Sequence, residues 1–185
     1  AAGLDLGGID PQGEPGVAVR HHGGGDVQTL VALARGLAVR LELGDQLNRL
    51  GVLVSVGHSN AVYAQVKEAA EHGFRHVTHL YSAMSTITRK NGFRYAGVLE
   101  STFCLPQLTA EIIADGCHLP PELIRMVYTL LGVERVCFCC DSMRCAGEQV
   151  TRSFLGNPQS GIPVIIEDGV AKLCDRSAFA GSVAT

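Results

Sequence analysis

The chain has 185 residues, a formal net charge of −3, 46% hydrophobic and 18% charged residues, and no Trp. That length suits one domain with at most a small appendage, the apolar fraction excludes disorder, and the near-neutral balance gives no electrostatic footprint for nucleic acid or an anionic membrane. No apolar run approaches the ~20 residues that span a bilayer, no signal peptide is expected, and seven Cys without framework spacing lead us to expect a reducing, cytoplasmic compartment.

Residues 1–50 begin with Gly and Pro (Gly7, Gly8, Pro11, Gly13, Pro15, Gly16) and pass through His21-His22-Gly23-Gly24-Gly25. No strand is predicted there. Only residues 27–50 read as helical, interrupted by Gly36 and Gly44. From residue 51 a rhythm sets in. Residues 52–56 are an apolar, β-branched run suited to a strand buried on both faces. Residues 61–72 carry helical periodicity and stop at Gly73, the usual C′ residue. Residues 76–80 are a second strand candidate, followed by a long polar loop from Ser82 to about Tyr95. Residues 108–114 make a third strand, Pro120-Pro121 opens a helix that runs to Leu131, and residues 135–140 make a fourth strand. Strands alternating with helices imply βαβ units and a parallel sheet. Beyond Val150 the texture changes: residues 163–167 and 170–174 flank Asp168-Gly169, a two-residue hairpin signal, and predict a small antiparallel element.

His58, His79, His118 and Asp141 each fall at the C-terminal end of a strand candidate. In parallel α/β architectures that edge holds the active site, so four residues distant in sequence are expected on one rim. Two imidazoles can bind a transition metal, and a carboxylate can take a proton from an activated water. Taken singly, each has a structural alternative: a hydrogen-bonded His, a turn at Asp115-Gly116, an N-cap at Asp141. His72 and His76 flank Gly73 and read as solvated or capping residues. Cys137-x-x-Cys140 lies within an apolar strand, where alternation sends those side chains to opposite faces, and Cys137 and Cys139 are expected to pack as small hydrophobes.

Five segments occur in order: Val54-Ser55-Val56-Gly57-His58-Ser59-Asn60-Ala61, Val77-Thr78-His79-Leu80-Tyr81-Ser82-Ala83-Met84, Ile112-Ile113-Ala114-Asp115-Gly116-Cys117-His118, Cys140-Asp141-Ser142-Met143 and Phe179-Ala180-Gly181-Ser182. Together they resemble the N-acetylglucosamine-6-phosphate deacetylase family of the amidohydrolase superfamily, from about Arg40 to the end of the chain. The resemblance implies an α/β fold, a (β/α)8 TIM barrel of the metal-dependent amidohydrolase type, with a small β-sandwich formed by the chain ends. Residues 1–20 would belong to that small domain and the entry to the barrel, 21–150 to a partial barrel carrying the site, and 151–185 to the return into the small domain. The implied activity is removal of the acetyl group from N-acetylglucosamine 6-phosphate. His58 and His79 would ligate a divalent metal, Zn²⁺ first, with Fe, Mn and Co also compatible. Asp141 would be the general acid/base. His118 would bind the substrate and polarise its acetyl carbonyl, and Ser82, Ala83 and Arg89 would face the sugar phosphate, an Arg fork suiting phosphate oxygens. A cytoplasmic homodimer with a small-molecule amino-sugar phosphate as its partner is implied as well.

The chain also departs from the family pattern. Ser82 stands where the family has Asn, and Arg89-Lys90-Asn91-Gly92 where it has Arg-Glu-Pro-Gly. The His-Leu-Glu-Gly-Pro segment that supplies a metal-ligating Glu has no counterpart. A closed barrel with its sandwich takes on the order of 250 residues, so the chain is expected to lack an N-terminal piece and an internal block, with a break or stretched join within residues 20–42. Two other functions stay open: another amide or phosphoester hydrolase of the superfamily, since fold and metal site do not set the substrate, and a non-catalytic remnant without a complete metal site.

Overall fold

Short β-branched runs set between glycines and polar turns make the strands of this chain. The structure is a computed structural model and describes residues 16–20, 29–32, 37–157 and 159–184. In chain order the elements are β1 (Gly16–Arg20), β2 (Thr29–Ala32), α1 (Leu37–Arg49), β3 (Leu53–Gly57), α2 (Tyr63–Glu71), β4 (Phe74–Val77), β5 (Thr88–Lys90), β6 (Phe93–Tyr95), α3 (Val98–Cys104), β7 (Thr109–Ile113), α4 (Pro121–Leu131), β8 (Val136–Cys139), β9 (Arg152–Leu155), β10 (Ile162–Glu167), β11 (Val170–Leu173) and β12 (Phe179–Ser182). The described residues fall into two compact units, one holding those up to 112 together with 126–137, the other 113–125 and 138–184.

In the first unit the α/β rhythm forms as its residues dictate. The strand order of the larger sheet is β2-β1-β3-β4-β7-β8, with β3, β4 and β7 parallel. Val54, Val77, Leu108 and Ala110 are fully buried, and Ile112 is 1% exposed. Removing such a side chain from water stabilises the fold by ~1.5–3 kcal/mol for a Val, Leu or Ile. Gly73, at φ 88°, ends the turn after α2 and lets the chain reverse into β4.

Three expectations are corrected here. Strands β1 and β2 occupy a region where none was predicted, and the helix begins at Leu37 rather than near residue 27. Four or five residues hold too few alternations to separate a strand from a helical turn. What makes these two strands is pairing, since β1 runs antiparallel to both β2 and the distant β3. The polar loop from Ser82 contains a hairpin instead, β5 with β6, turned by Asn91 and Gly92 at φ 52° and 84°. Asn-Gly with both residues left-handed is the favoured two-residue hairpin connection. The short helix α3 was not anticipated. The interruption expected within residues 20–42 falls mainly on residues 21–28 and 33–36, outside the described residues.

In the second unit β12-β11-β10-β9 form an antiparallel sheet. Asp168 and Gly169, at φ 53° and 78°, turn the predicted hairpin between the paired residues Glu167 and Val170. Its core is Met143, Cys145, Val164, Ala171 and Ala180, with Leu155, Ile166, Leu173 and Val183 packed against it. Of residues 1–20, expected in this small domain and at the entry to the barrel, 1–15 lie outside the described residues and 16–20 form β1 of the larger sheet.

Candidate active site

His58 directly follows β3, and His79 follows β4 by two residues. Both leave the strand through left-handed backbone, at φ 46° and 31°. The end of β4 is clamped on both sides. The Thr78 N–H donates to the Val56 carbonyl (2.9 Å), and the Thr78 and Ser55 hydroxyls lie 2.6 Å apart. The His79 N–H donates to the buried Glu111 carboxylate (Oε1, 3.3 Å), and the Leu80 N–H to the Glu111 carbonyl (2.8 Å). These anchors bring the His58 and His79 Nε2 atoms to 3.0 Å, with ring centroids 4.8 Å apart and planes at 68°.

His58 is exposed, whereas His79 is 6% exposed and its Nδ1 is buried without a hydrogen-bond partner. Imidazole lone pairs at that separation repel unless a proton or a cation lies between them. With nitrogen–metal distances of ~2.0–2.1 Å, the pair fits a divalent transition metal.

The loop beyond His79 is strained and stapled. Tyr81 and Ala83 have φ of 79° and 48°. The Tyr81 hydroxyl is buried without a hydrogen-bond partner; burial, and then the charge of Glu100, push its pKa up. The Ser82 N–H donates to the His79 carbonyl (2.9 Å), while Ala83 is exposed. Ser85 ties the loop to two neighbours: its hydroxyl donates to the Ala61 carbonyl (2.6 Å) and accepts from the Val98 N–H (3.0 Å). Gly97 lies against it, where a Cβ would stand 2.5 Å from Ser85 backbone. Arg89 is exposed on the hairpin and pairs in register with Arg94, which is also exposed.

In the second unit, Asp115 follows β7 and organises His118. One carboxylate oxygen accepts from the N–H groups of Cys117 (2.9 Å) and His118 (2.8 Å), and the other stands 2.7 Å from His118 Nδ1. Burial pushes the Asp115 carboxyl up, but these hydrogen bonds outweigh it and hold the pKa below the ordinary value. The His118 ring meets Phe179 edge-on, with centroids 5.0 Å apart.

Asp141 follows β8, is exposed and has φ 46°. No helix begins there, so it is not a helix cap. Its carbonyl accepts from the Ser182 N–H (2.9 Å), and the Met143 N–H donates to the Ser182 carbonyl (2.8 Å). Gly181 lies beneath, where a Cβ would stand 3.1 Å from the Asp141 carbonyl oxygen and 3.0 Å from Met143 Cγ. The Phe179–Ser182 strand thus sets the backbone that carries Asp141.

Of the eight described non-glycine residues with positive φ, five are His58, His79, Tyr81, Ala83 and Asp141. Left-handed backbone costs L-residues ~1–2 kcal/mol each, and such outliers concentrate where a site must aim side chains. Sequence reasoning missed Glu111, Tyr81 and Ser85; a lone carboxylate inside the apolar run of β7 was the available signal. His72 caps α2 with its Nδ1 2.8 Å from Asp45, as expected. His76 corrects the expectation: it lies within β4, 3% exposed, with Nδ1 2.7 Å from the Thr109 hydroxyl. Cys137 corrects another, being exposed rather than packed, because β8 ends the strand order of its sheet.

A family model described as the amidohydrolase family matches residues 41–167. An N-acetylglucosamine-6-phosphate deacetylase of Lysinibacillus sphaericus is 33% identical over 139 residues, covering 75% of this chain and 34% of the relative. An N-acetylgalactosamine-6-phosphate deacetylase of a Shewanella species is 29% identical over 142 residues, covering 75% and 34%. The crystal structure of N-acetyl-D-glucosamine-6-phosphate deacetylase from Mycobacterium smegmatis superposes with a TM-score of 0.69 at 32% identity, covering 78% of this chain and 36% of the other. The chain spans about a third of the length of these relatives.

Proposed function

We propose, since this chain belongs to the amidohydrolase family, that it carries part of the machinery of a metal-dependent deacetylase acting on N-acetylglucosamine 6-phosphate. The observation that carries the reading is the His58–His79 pair, two imidazole nitrogens 3.0 Å apart at successive strand ends, in a chain whose relatives bear that enzyme's name. The family implies a divalent metal, and in this reading it is Zn²⁺ held by His58 and His79. The ion would supply acidification of a water and polarisation of the acetyl carbonyl.

The remaining roles belong to the chain's own groups. Asp141 takes the proton of the attacking water and returns it to the departing amine, the two duties of one general acid/base. His118, oriented through Nδ1 by the Asp115 carboxylate 2.7 Å away, binds the substrate and polarises its acetyl carbonyl. Asp115 supports this by staying ionised. Ser82 and Ala83 face the sugar, and Arg89 takes the phosphate. Arg94 strengthens that assignment, because two like charges opposed across a strand pair are unfavourable until an anion joins them. The reading extends to a closed barrel with a small β-sandwich, working as a cytoplasmic homodimer. A second reading takes the galactosamine epimer as substrate, which the Shewanella relative favours.

Asp141→Asn is nearly isosteric but accepts no proton. It should lower kcat by ~10²–10⁴ and leave fold and metal content unchanged. Steady-state deacetylation assays on both hexosamine phosphates, with metal analysis of each variant, check this. Wild-type turnover in Asp141→Asn would remove Asp141 from the mechanism.

A further inference from the structure

Three side chains outside the imidazole pair come together on neighbouring strands. His76 on β4, Glu111 on β7 and Cys137 on β8 place one ligand atom each so that all lie within 4.8 Å of one another. The strands are adjacent in the sheet order, and the pairing of His76 with Thr109 sets the register. Glu111, two residues beyond Thr109, therefore shares its face.

The His76 ring is held at one nitrogen. Nδ1 lies 2.7 Å from the Thr109 hydroxyl, which leaves Nε2 as the ligand atom. Such a contact at the far nitrogen is the usual way a metal-binding imidazole is oriented. Nε2 stands 3.7 Å from Glu111 Oε2. That is too long for a hydrogen bond but close to the ~3.3–3.6 Å between two donors that each lie ~2.0–2.2 Å from one tetrahedral ion. His76 and Glu111 are 3% and 1% exposed, so their geometry is fixed by packing, whereas Cys137 is exposed and gives an ion a way in.

We propose that His76 Nε2, Glu111 Oε2 and Cys137 Sγ form a second metal site, distinct from His58–His79, for a Zn²⁺-class cation. One nitrogen, one oxygen and one sulfur suit a borderline-soft ion better than Mg²⁺ or Ca²⁺. On binding, the Cys137 thiol gives up its proton to solvent, and the fourth position is filled by water. The two sites are linked through one carboxylate, because Glu111 Oε1 also accepts the His79 N–H. An ion on Oε2 stiffens the peptide that carries His79. This inference does not rest on the deacetylase reading.

Cobalt(II) titration of the reduced, metal-stripped protein tests it, because only a thiolate ligand adds sulfur-to-cobalt charge-transfer absorption in the near ultraviolet. We expect that band in the wild type and in His58→Asn, whose site is all nitrogen. It should be lost in Cys137→Ser, an exposed and conservative change, and in Glu111→Gln. Absence of the band from the wild type overturns the proposal, as does its persistence in Cys137→Ser. Neither result touches the His58–His79 assignment, which is read by metal content and turnover.

Discussion

A single carboxylate at position 115 does three jobs, and its ionisation ties them to pH. Asp115 accepts two backbone N–H groups and faces His118 Nδ1, and these bonds hold its folded-state pKa below the ordinary value. A depressed carboxyl pKa adds stability above the unfolded value, near pH ~4, and that stability is lost as pH falls through the folded value. Asp115→Asn should therefore differ most from the wild type at neutral pH and converge with it in acid. Urea unfolding at a series of pH values gives the comparison.

Gly181 shows the same dependence of a side chain on its backbone support. At φ 95°, with a Cβ position 3.1 Å from the Asp141 carbonyl oxygen, Gly181→Ala should destabilise by ~1–2 kcal/mol and lower kcat by displacing Asp141. Denaturation and kinetics on the same preparation separate the two effects. At this scale the strand-end positions of His58, His79 and Asp141 were legible, because a polar residue ending an apolar run is conspicuous. His76 was not, because a His beside a helix-ending glycine reads as surface until the strand's true start, Phe74, is known.

Among elements, the β5–β6 hairpin holds the sharpest electrostatic conflict. Arg89 and Arg94 oppose one another in register, both exposed. An Arg fork binds phosphate oxygens bidentately, so Arg89→Ala should raise KM for the sugar phosphate by roughly tenfold, about the weight of one charge-assisted hydrogen bond, with kcat little changed. The Arg89→Ala, Arg94→Ala double variant should lose any thermal stabilisation by inorganic phosphate that the wild type shows in a melting assay. The hairpin was written in Asn91-Gly92 but was hidden by three-residue strands too short to alternate. Strands β3, β4, β7 and β8 were legible from their apolar runs alone. Strands β1 and β2 were not, since β1 is fixed by pairing with the distant β3 and β2 only by pairing with β1.

For the whole molecule, the parallel arrangement of β3, β4 and β7 follows from the βα rhythm, while the antiparallel β1 is a tertiary outcome that no local pattern encodes. The same non-local character governs how the imidazole pair assembles. The His79 amide is held by Glu111, 32 residues further on, across the parallel pair β4–β7. Closing a long loop costs entropy before its contacts repay it, and pairings of high sequence separation form slowly. The β3–α2–β4 segment is complete in sequence well before β7 and can fold first, leaving His79 near His58 but unclamped. Metal capture in refolding should therefore lag behind the recovery of helical circular dichroism, and Glu111→Gln should lengthen the lag while sparing the early phase. Stopped-flow refolding in the presence of a chromogenic metal indicator follows both events. The order in which this site matures is thus set by a carboxylate that never needs to touch the substrate.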